Sequence, residues 1–285
     1  DHLGLPGLLI PERAGESVDM AHYQHRWDYC LSPFYECVPF YPHELTQRES
    51  SLGLMDHSAL PVPDATPKDI DPLERERLRQ MIERYGGDST LIGLGDEELD
   101  GALGLARSDA GRRVLTLVGL LILGRASVLR DKIPTHEVAF QVLNGTQVRV
   151  NDFYRTPLLK TFERVMEQFT VRVSEDEVQE GLFRVPVPDY DVRAFREAFV
   201  NALIHRDYSR LGATHVRMET DGVTISNPGG FVEGVTFNNL LIVEPKPRNP
   251  LLADVVKRIG LAERTGRGVD LIYRGMLRYG RPEPD

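Results

Sequence analysis

The chain has two cysteines, one tryptophan, no long apolar run and no excess of basic charge. Cys30 and Cys37 are too few for a disulfide framework, so a reducing cytoplasm is the expected compartment. The longest apolar run, Leu115 to Leu123, is roughly half of what a membrane span needs, so no membrane partner is expected. With 34 basic against 43 acidic residues the net charge is −9. That excludes a protein coating nucleic acid along its whole surface. The sign reverses locally, because nine Lys or Arg stand against five Asp or Glu from Pro245 to the end. No Gly-x-x-x-x-Gly-Lys-Ser/Thr occurs, which excludes a P-loop helicase motor in this chain. His205-Arg206-Asp207 copies the kinase His-Arg-Asp triplet, but Gly212 stands where that loop requires Asn and no Asp-Phe-Gly follows. His22, His25, Cys30, Cys37 and His43 match no closed zinc spacing, so no metal site is expected there. Asn144-Gly145-Thr146 fits a glycosylation sequon, read as chance without a secretory context.

What is present divides the 285 residues into three parts. Residues 1–70 keep neither the helical nor the strand period for long and end in a Pro-rich linker. Residues 71–132 read as a helical connecting region, winged-helix-like or purely connecting. Its helices are expected from Pro72 to the Gly86 cap, over Asp96 to Ala106, and over Val114 to Gly124. Residues 133–285 read as one module. Strands in HEVAFQVL and TQVRV flank an Asn144-Gly145 turn, a helix covers Pro157 to Phe169, and strands follow near Val171 and over Leu182 to Val187. ATHVRMET and VTISN then form a hairpin about Asp221-Gly222. Asn249-Pro250 opens a helix to about Gly260, with Asn at the cap, and a last helix follows Gly268 to about Tyr279. The chain opens at Asp1 without methionine and ends in RPEPD, as a piece of a longer protein would.

The stretch Asp191 to Tyr208, DVRAFREAFVNALIHRDY, organises the module. Asp191 is a good N-cap, and Ala194, Phe195, Ala198, Phe199, Ala202 and Leu203 recur at helical spacing as a buried face. Beside them Arg193, Glu197, Asn201 and His205 stand four apart, hence on one face. A carboxylate and an amide one turn apart suit a metal ion and a water, and equally a polar face that caps neighbouring loops. Downstream, Asn227-Pro228-Gly229-Gly230 lets backbone approach a ligand closely. Thr265-Gly266-Arg267-Gly268 opens a helix whose free amides form a general anion site.

REAFVNALIHRDY, ISNPGGF and PRNPLLADVVKRIGLAERTGRGVDLI together resemble the C-terminal ATPase-like module of bacterial RecG-like ATP-dependent helicases and transcriptional regulators. Full-length members carry an AlbA-like, Schlafen-related domain before it, and the module is similar to the GHKL ATPases: gyrase, MutL, histidine kinases and the heat-shock chaperone. The resemblance implies an α+β chain with a GHKL-like α/β sandwich in its C-terminal half, after a smaller mixed or helical region. It implies ATP and Mg²⁺ as cofactors. Asn201 would hold the Mg²⁺ against the phosphates, Glu197 would activate water as the catalytic group, and His205 and Arg206 would sit at the phosphate end. Asn227, Gly229 and Gly230 would form the base pocket, with Asn227 where the family has Asp; its carbonyl still accepts but carries no charge. Thr265, Gly266 and Gly268 would be the glycine box, and Gly234 to Arg248 the lid, with Lys246 or Arg248 reaching a γ-phosphate. The implied function is an ATP-binding regulatory module with at most weak Mg²⁺-dependent hydrolysis, in a homo-oligomer reaching DNA through flanking domains. The competing readings are a degenerate scaffold or dimerisation module that binds no nucleotide, and a direct DNA binder using the basic C-terminal stretch.

Overall fold

The computed structural model describes residues 55–109, 111–180, 183–263 and 267–284, with Glu49 and Leu52. The chain divides into two compact units, Asp1–Met55 and Asp56–Asp285. The histidines and cysteines weighed above as zinc ligands lie outside the described residues, as do Thr265 and Gly266.

In the second unit Asp71 Oδ1 accepts the Leu73 amide at 3.0 Å and starts helix α1, Pro72–Arg84. Gly86, at φ 64°, follows the end of α1, where a left-handed residue suits glycine. Helix α2 spans Asp96–Ala102, shorter than the periodicity suggests. The residues after it pair instead as an antiparallel hairpin, β1 Ala106–Asp109 with β2 Arg112–Leu115. Helix α3, Leu117–Leu123, correspondingly starts three residues later than expected. Thr116 decides this boundary: its Oγ1 accepts the Gly119 amide at 3.1 Å and donates to the Gly104 carbonyl at 2.9 Å. Every residue of α3 is buried, as befits a helix apolar all round. Helix α4 spans Ala126–Lys132.

The rest builds one mixed sheet with helices. Strands β3, Val138–Asn144, and β4, Gln147–Tyr154, turn at Gly145, φ 57°. Helix α5, Leu158–Thr170, buries Phe162, Val165 and Phe169 at helical spacing. No strand forms at Val171, contrary to expectation: its amide still bonds the Glu167 carbonyl and caps α5. The strand starts later, as β5 Glu175–Glu180 paired with β6 Phe183–Pro188 in a separate hairpin. Then come helix α6 Val192–His205, strands β7 Thr214–Met218 and β8 Val223–Ser226, helix α7 Pro250–Ile259 and helix α8 Gly268–Arg278. The sheet order is β4-β3-β7-β8, with β3 and β7 parallel and the outer pairs antiparallel. Val138, Phe140, Val216 and Met218 put one face of it into the core. There Phe169, Phe195, Phe199 and Phe162 form a ring stack joining α5 to α6. The protein is thus α+β, consistent with an α/β ATPase-like fold. Among the described residues no helix is long and apolar enough to cross a membrane.

One buried group makes this core pH-sensitive. His136 lies 2 % exposed, with Nε2 against the Thr156 carbonyl at 2.8 Å and Nδ1 without a partner. Burial, and the Arg206 charge more weakly, lower its pKa from 6.5 to about 4, against the Thr156 bond and Glu137. The unfolded chain therefore binds the extra proton first, and stability is lost as pH falls from 6.5 towards 4. Urea unfolding at pH 7 and pH 5 should differ by about 2 kcal/mol from this residue. His136→Gln should remove that part of the slope; an unchanged slope would refute the assignment.

Candidate functional site

Asp191 fixes the start of α6, its Oδ1 accepting the amides of Arg193 at 2.7 Å and Ala194 at 3.2 Å. Along the next three turns Ala194, Ala198 and Ala202 keep the helix surface low, and a cleft of about 1420 Å³ opens over them. Gly275 of α8 lies against this row: a Cβ there would stand 2.5 Å from that of Ala194. Small residues at both sides let the two helices approach closely. Residues of β8, the segment 231–247 and α8 complete the walls.

Glu197, Asn201 and His205 all line the cleft. Glu197 is 3 % exposed, and its Oε2 accepts the Glu263 amide at 3.2 Å. Burial raises its pKa, opposed by that amide and by Arg196. Gly268 lies over the same carboxylate, and a Cβ there would overlap Glu197 Oε1. The glycine that opens α8 is thus set by contact with α6 as well as by any ligand. The Asn201 side chain is half-buried and makes no hydrogen bond among the described residues. His205 is held below its ordinary pKa by burial and by the Arg248 charge.

Asn227, Gly229 and Gly230 also line the cleft. Asn227 Nδ2 donates to the Pro228 carbonyl at 3.3 Å, and among the described residues its Oδ1 accepts no hydrogen bond. Gly229 adopts φ 125°, a left-handed backbone that favours glycine. The turn is held from below, since the Asp207 amide bonds the Pro228 carbonyl at 2.8 Å.

Two expected phosphate contacts point elsewhere. Arg206 is fully buried and does not line the cleft. Its guanidinium donates to the carbonyls of Asp207 at 2.8 Å, Gly212 at 2.5 Å, Arg210 at 3.4 Å and Thr135, beneath the Tyr208 ring. The polar row ends at His205 because the helix ends there and the backbone turns extended at Arg206. Arg248 is 6 % exposed, donates to the Gly230 carbonyl at 3.2 Å, and lies 3.9 Å from Asp207. It braces the glycine turn, while Lys246 lines the cleft. Asn249 is a residue the sequence reading assigned differently. Its Nδ2 donates to the carbonyls of Ile204 at 2.7 Å and Arg206 at 2.8 Å, closing the end of α6 rather than opening α7. The α7 amides of Leu251 and Leu252 are met instead by Asp56 Oδ2 at 2.7 Å and Ser58 Oγ at 3.3 Å. The Asn-Pro pair looked like a cap, and no sequence signal pointed to these partners.

The donor set fits magnesium–nucleotide in one respect and resists it in another. An Asn201 carbonyl without a partner among the described residues, beside a buried carboxylate and a glycine, is suitable chemistry for a hydrated cation. Yet among the described residues nine Asp or Glu against five Lys or Arg line the cleft, an excess that repels a bare polyphosphate. Among the described residues no three His, Cys, Asp or Glu cluster to hold a metal alone. A cation here would complete its shell with waters or with phosphate oxygens.

Residues 212–285 match the family described as "Putative ATP-dependent DNA helicase recG C-terminal". That stretch contains Asn227, Gly229, Gly230, Arg248, Thr265, Gly266 and Gly268, and begins after Arg206 and the helix carrying Glu197, Asn201 and His205. Residues 45–139 match a domain of unknown function, DUF8451. No curated protein matches the chain. Among solved structures it is similar to the DIP2311 protein from Corynebacterium diphtheriae, with 28% identity and a TM-score of 0.66. The similarity covers 87% of this chain and 48% of that one, so this chain spans about half of its length. The C-terminal part of the chain is therefore similar to a RecG-like, ATPase-type module.

Proposed function

We propose that residues 133–285 form a Mg²⁺-ATP-binding regulatory module of a bacterial transcriptional regulator, with residues 71–132 connecting it to other parts. The observation that carries this reading is the pair on α6: Glu197 buried, and Asn201 facing the same cleft with an amide that makes no hydrogen bond among the described residues. Asn201 would hold Mg²⁺, which neutralises phosphate charge in a cleft too acidic to accept polyphosphate alone. Lys246 and Lys257 would face the phosphates, Asn227 Oδ1 would accept from the base, and Thr265, Gly266 and Gly268 would seat the phosphates. Glu197, its pKa raised by burial, would take a proton from water if hydrolysis occurs. DNA would be reached through flanking domains in a homo-oligomer. Calorimetric titration with a non-hydrolysable ATP analogue should give binding only with Mg²⁺, weakened about tenfold or more by Asn201→Ala. Turnover lost in Glu197→Ala would then assign the base.

The scaffold reading has its own support. Asn227 replaces the charged acceptor of related sites, and the Glu197 carboxylate already receives the Glu263 amide. No heat at high analogue concentration from folded protein would sink the nucleotide reading and leave the scaffold.

A further inference from the structure

A second concavity, of about 520 Å³, lies beside α1, within the stretch that matches the domain of unknown function. Among the described residues Lys68, Arg75, Arg79, Arg113 and Arg125 line it with Glu76, Asp96 and Asp100, and Arg113 also pairs with Glu97 at 2.8 Å. In a chain of net charge −9 this is a local positive excess, opposite in sign to the α6 cleft.

Its floor is rigid. The Asp100 carboxylate is 0 % exposed and receives Arg75 on both oxygens, at 2.8 and 2.9 Å, and Arg113 at 2.5 Å. One buried carboxylate thus fixes two guanidiniums side by side, and a bidentate pair of this kind sets orientation as well as energy. Arg79 is held on the same wall by Asp96 at 2.8 Å and the Leu94 carbonyl at 3.0 Å.

Two cations at the rim are little engaged by the described residues of the fold. Arg125 donates only through Nε, to the Ile70 carbonyl at 3.3 Å; among the described residues its two terminal amino groups make no hydrogen bond. The Lys68 ammonium likewise has no partner among them. These residues are far apart in sequence, yet a short backbone ladder holds them in one place. The Arg125 amide bonds the Asp69 carbonyl at 2.9 Å, and the Asp71 amide bonds the Leu123 carbonyl at 2.8 Å. Like charges lining one concavity repel in the absence of an anion. The guanidinium fork matches a phosphate bidentately, and an ammonium supplies the point charge beside it.

We propose that this concavity is a phosphate-binding site for a small phosphorylated molecule, gripped by Arg125 and Lys68 above the Arg75–Asp100–Arg113 floor. Its volume lies in the range of small-ligand sites and exceeds one phosphate group. Asp96 is paired with Arg79, and Glu76 is the edge carboxylate that an extended nucleic-acid backbone, the other source of the same chemistry, would have to pass.

The test is titration of the full chain with inorganic pyrophosphate in magnesium-free buffer, where the acidic α6 cleft does not compete. Wild-type protein should bind saturably. The double variant Lys68→Gln, Arg125→Gln should bind about a hundredfold more weakly. Both side chains are exposed and their backbone contacts remain, so the variant should fold, as checked by its unfolding midpoint. Absent binding, or equal binding by the double variant, overturns the proposal. A short single-stranded oligonucleotide that displaces pyrophosphate with a steep salt slope would overturn the small-molecule assignment in favour of backbone phosphates. Failure to displace it supports the assignment.

Discussion

Replacing Arg206 with methionine is expected to lower the unfolding free energy by about 3–5 kcal/mol, read from urea denaturation. The guanidinium is fully buried, and among the described residues no carboxylate oxygen bonds it: its partners there are main-chain carbonyls. Methionine fills much of the volume but donates nothing, so the carbonyls of Thr135, Asp207 and Gly212 lose a buried donor together. Each unmet buried acceptor costs about 1–3 kcal/mol. Lysine should not rescue, because one ammonium cannot reach partners arranged for a planar fork. The effect should extend to the cleft. Asp207, next in the chain, supports the Asn227–Gly230 turn through its amide and lies beside Arg248. A loss below about 1 kcal/mol would show that solvent or neighbouring donors replace the guanidinium, and that the clamp is not a support of the site.

Gly275→Leu is expected to separate α8 from α6 without unfolding the rest. Even a methyl group at Gly275 would stand 2.5 Å from the Ala194 Cβ and 3.2 Å from the Asp191 Cβ. Neither contact is the far end of a flexible side chain, so the helix itself must move. Gly275 is the buried residue of α8, whose neighbours are half-exposed, and little apolar burial opposes the movement. Overpacking of about 3 kcal/mol should appear locally. Hydrogen exchange over 268–278 should accelerate about a hundredfold while α1 and α3 stay protected. Gly268 would leave the Glu197 carboxylate with the helix, so binding of the ATP analogue should disappear. Unchanged exchange with unchanged binding would mean that α8 adapts, and the close helix crossing would not organise the cleft.

The order of elements was largely legible, because caps and periods are local. Asp191 before an apolar 3.6-residue repeat marks α6 from sequence alone, and Asn144-Gly145 and Asp221-Gly222 mark the hairpin turns. The errors have physical causes. Apolar Val114 and Leu115 read as helix because their strand partners, Ala106 and Arg107, are not apolar neighbours in sequence. Val171 read as strand by propensity, yet the α5 hydrogen bonds carry through it.

By itself, the sequence determined that Glu197, Asn201 and His205 share one face of one helix, since residues four apart must do so. It also determined that glycines follow β8 and that one stands at the start of α8. Only the tertiary structure decided what that face meets: the cleft, the Glu263 amide and the bare Cα of Gly268. It alone turned Arg206 and Arg248 inward to carbonyls, and gave Asn249 to the end of α6 and the start of α7 to Asp56 and Ser58. It also gathered Lys68 and Arg125 at one rim. Backbone periodicity places a side chain on its own helix, whereas its partner depends on which distant segment folding brings within about 3 Å. No spacing along the chain encodes that distance.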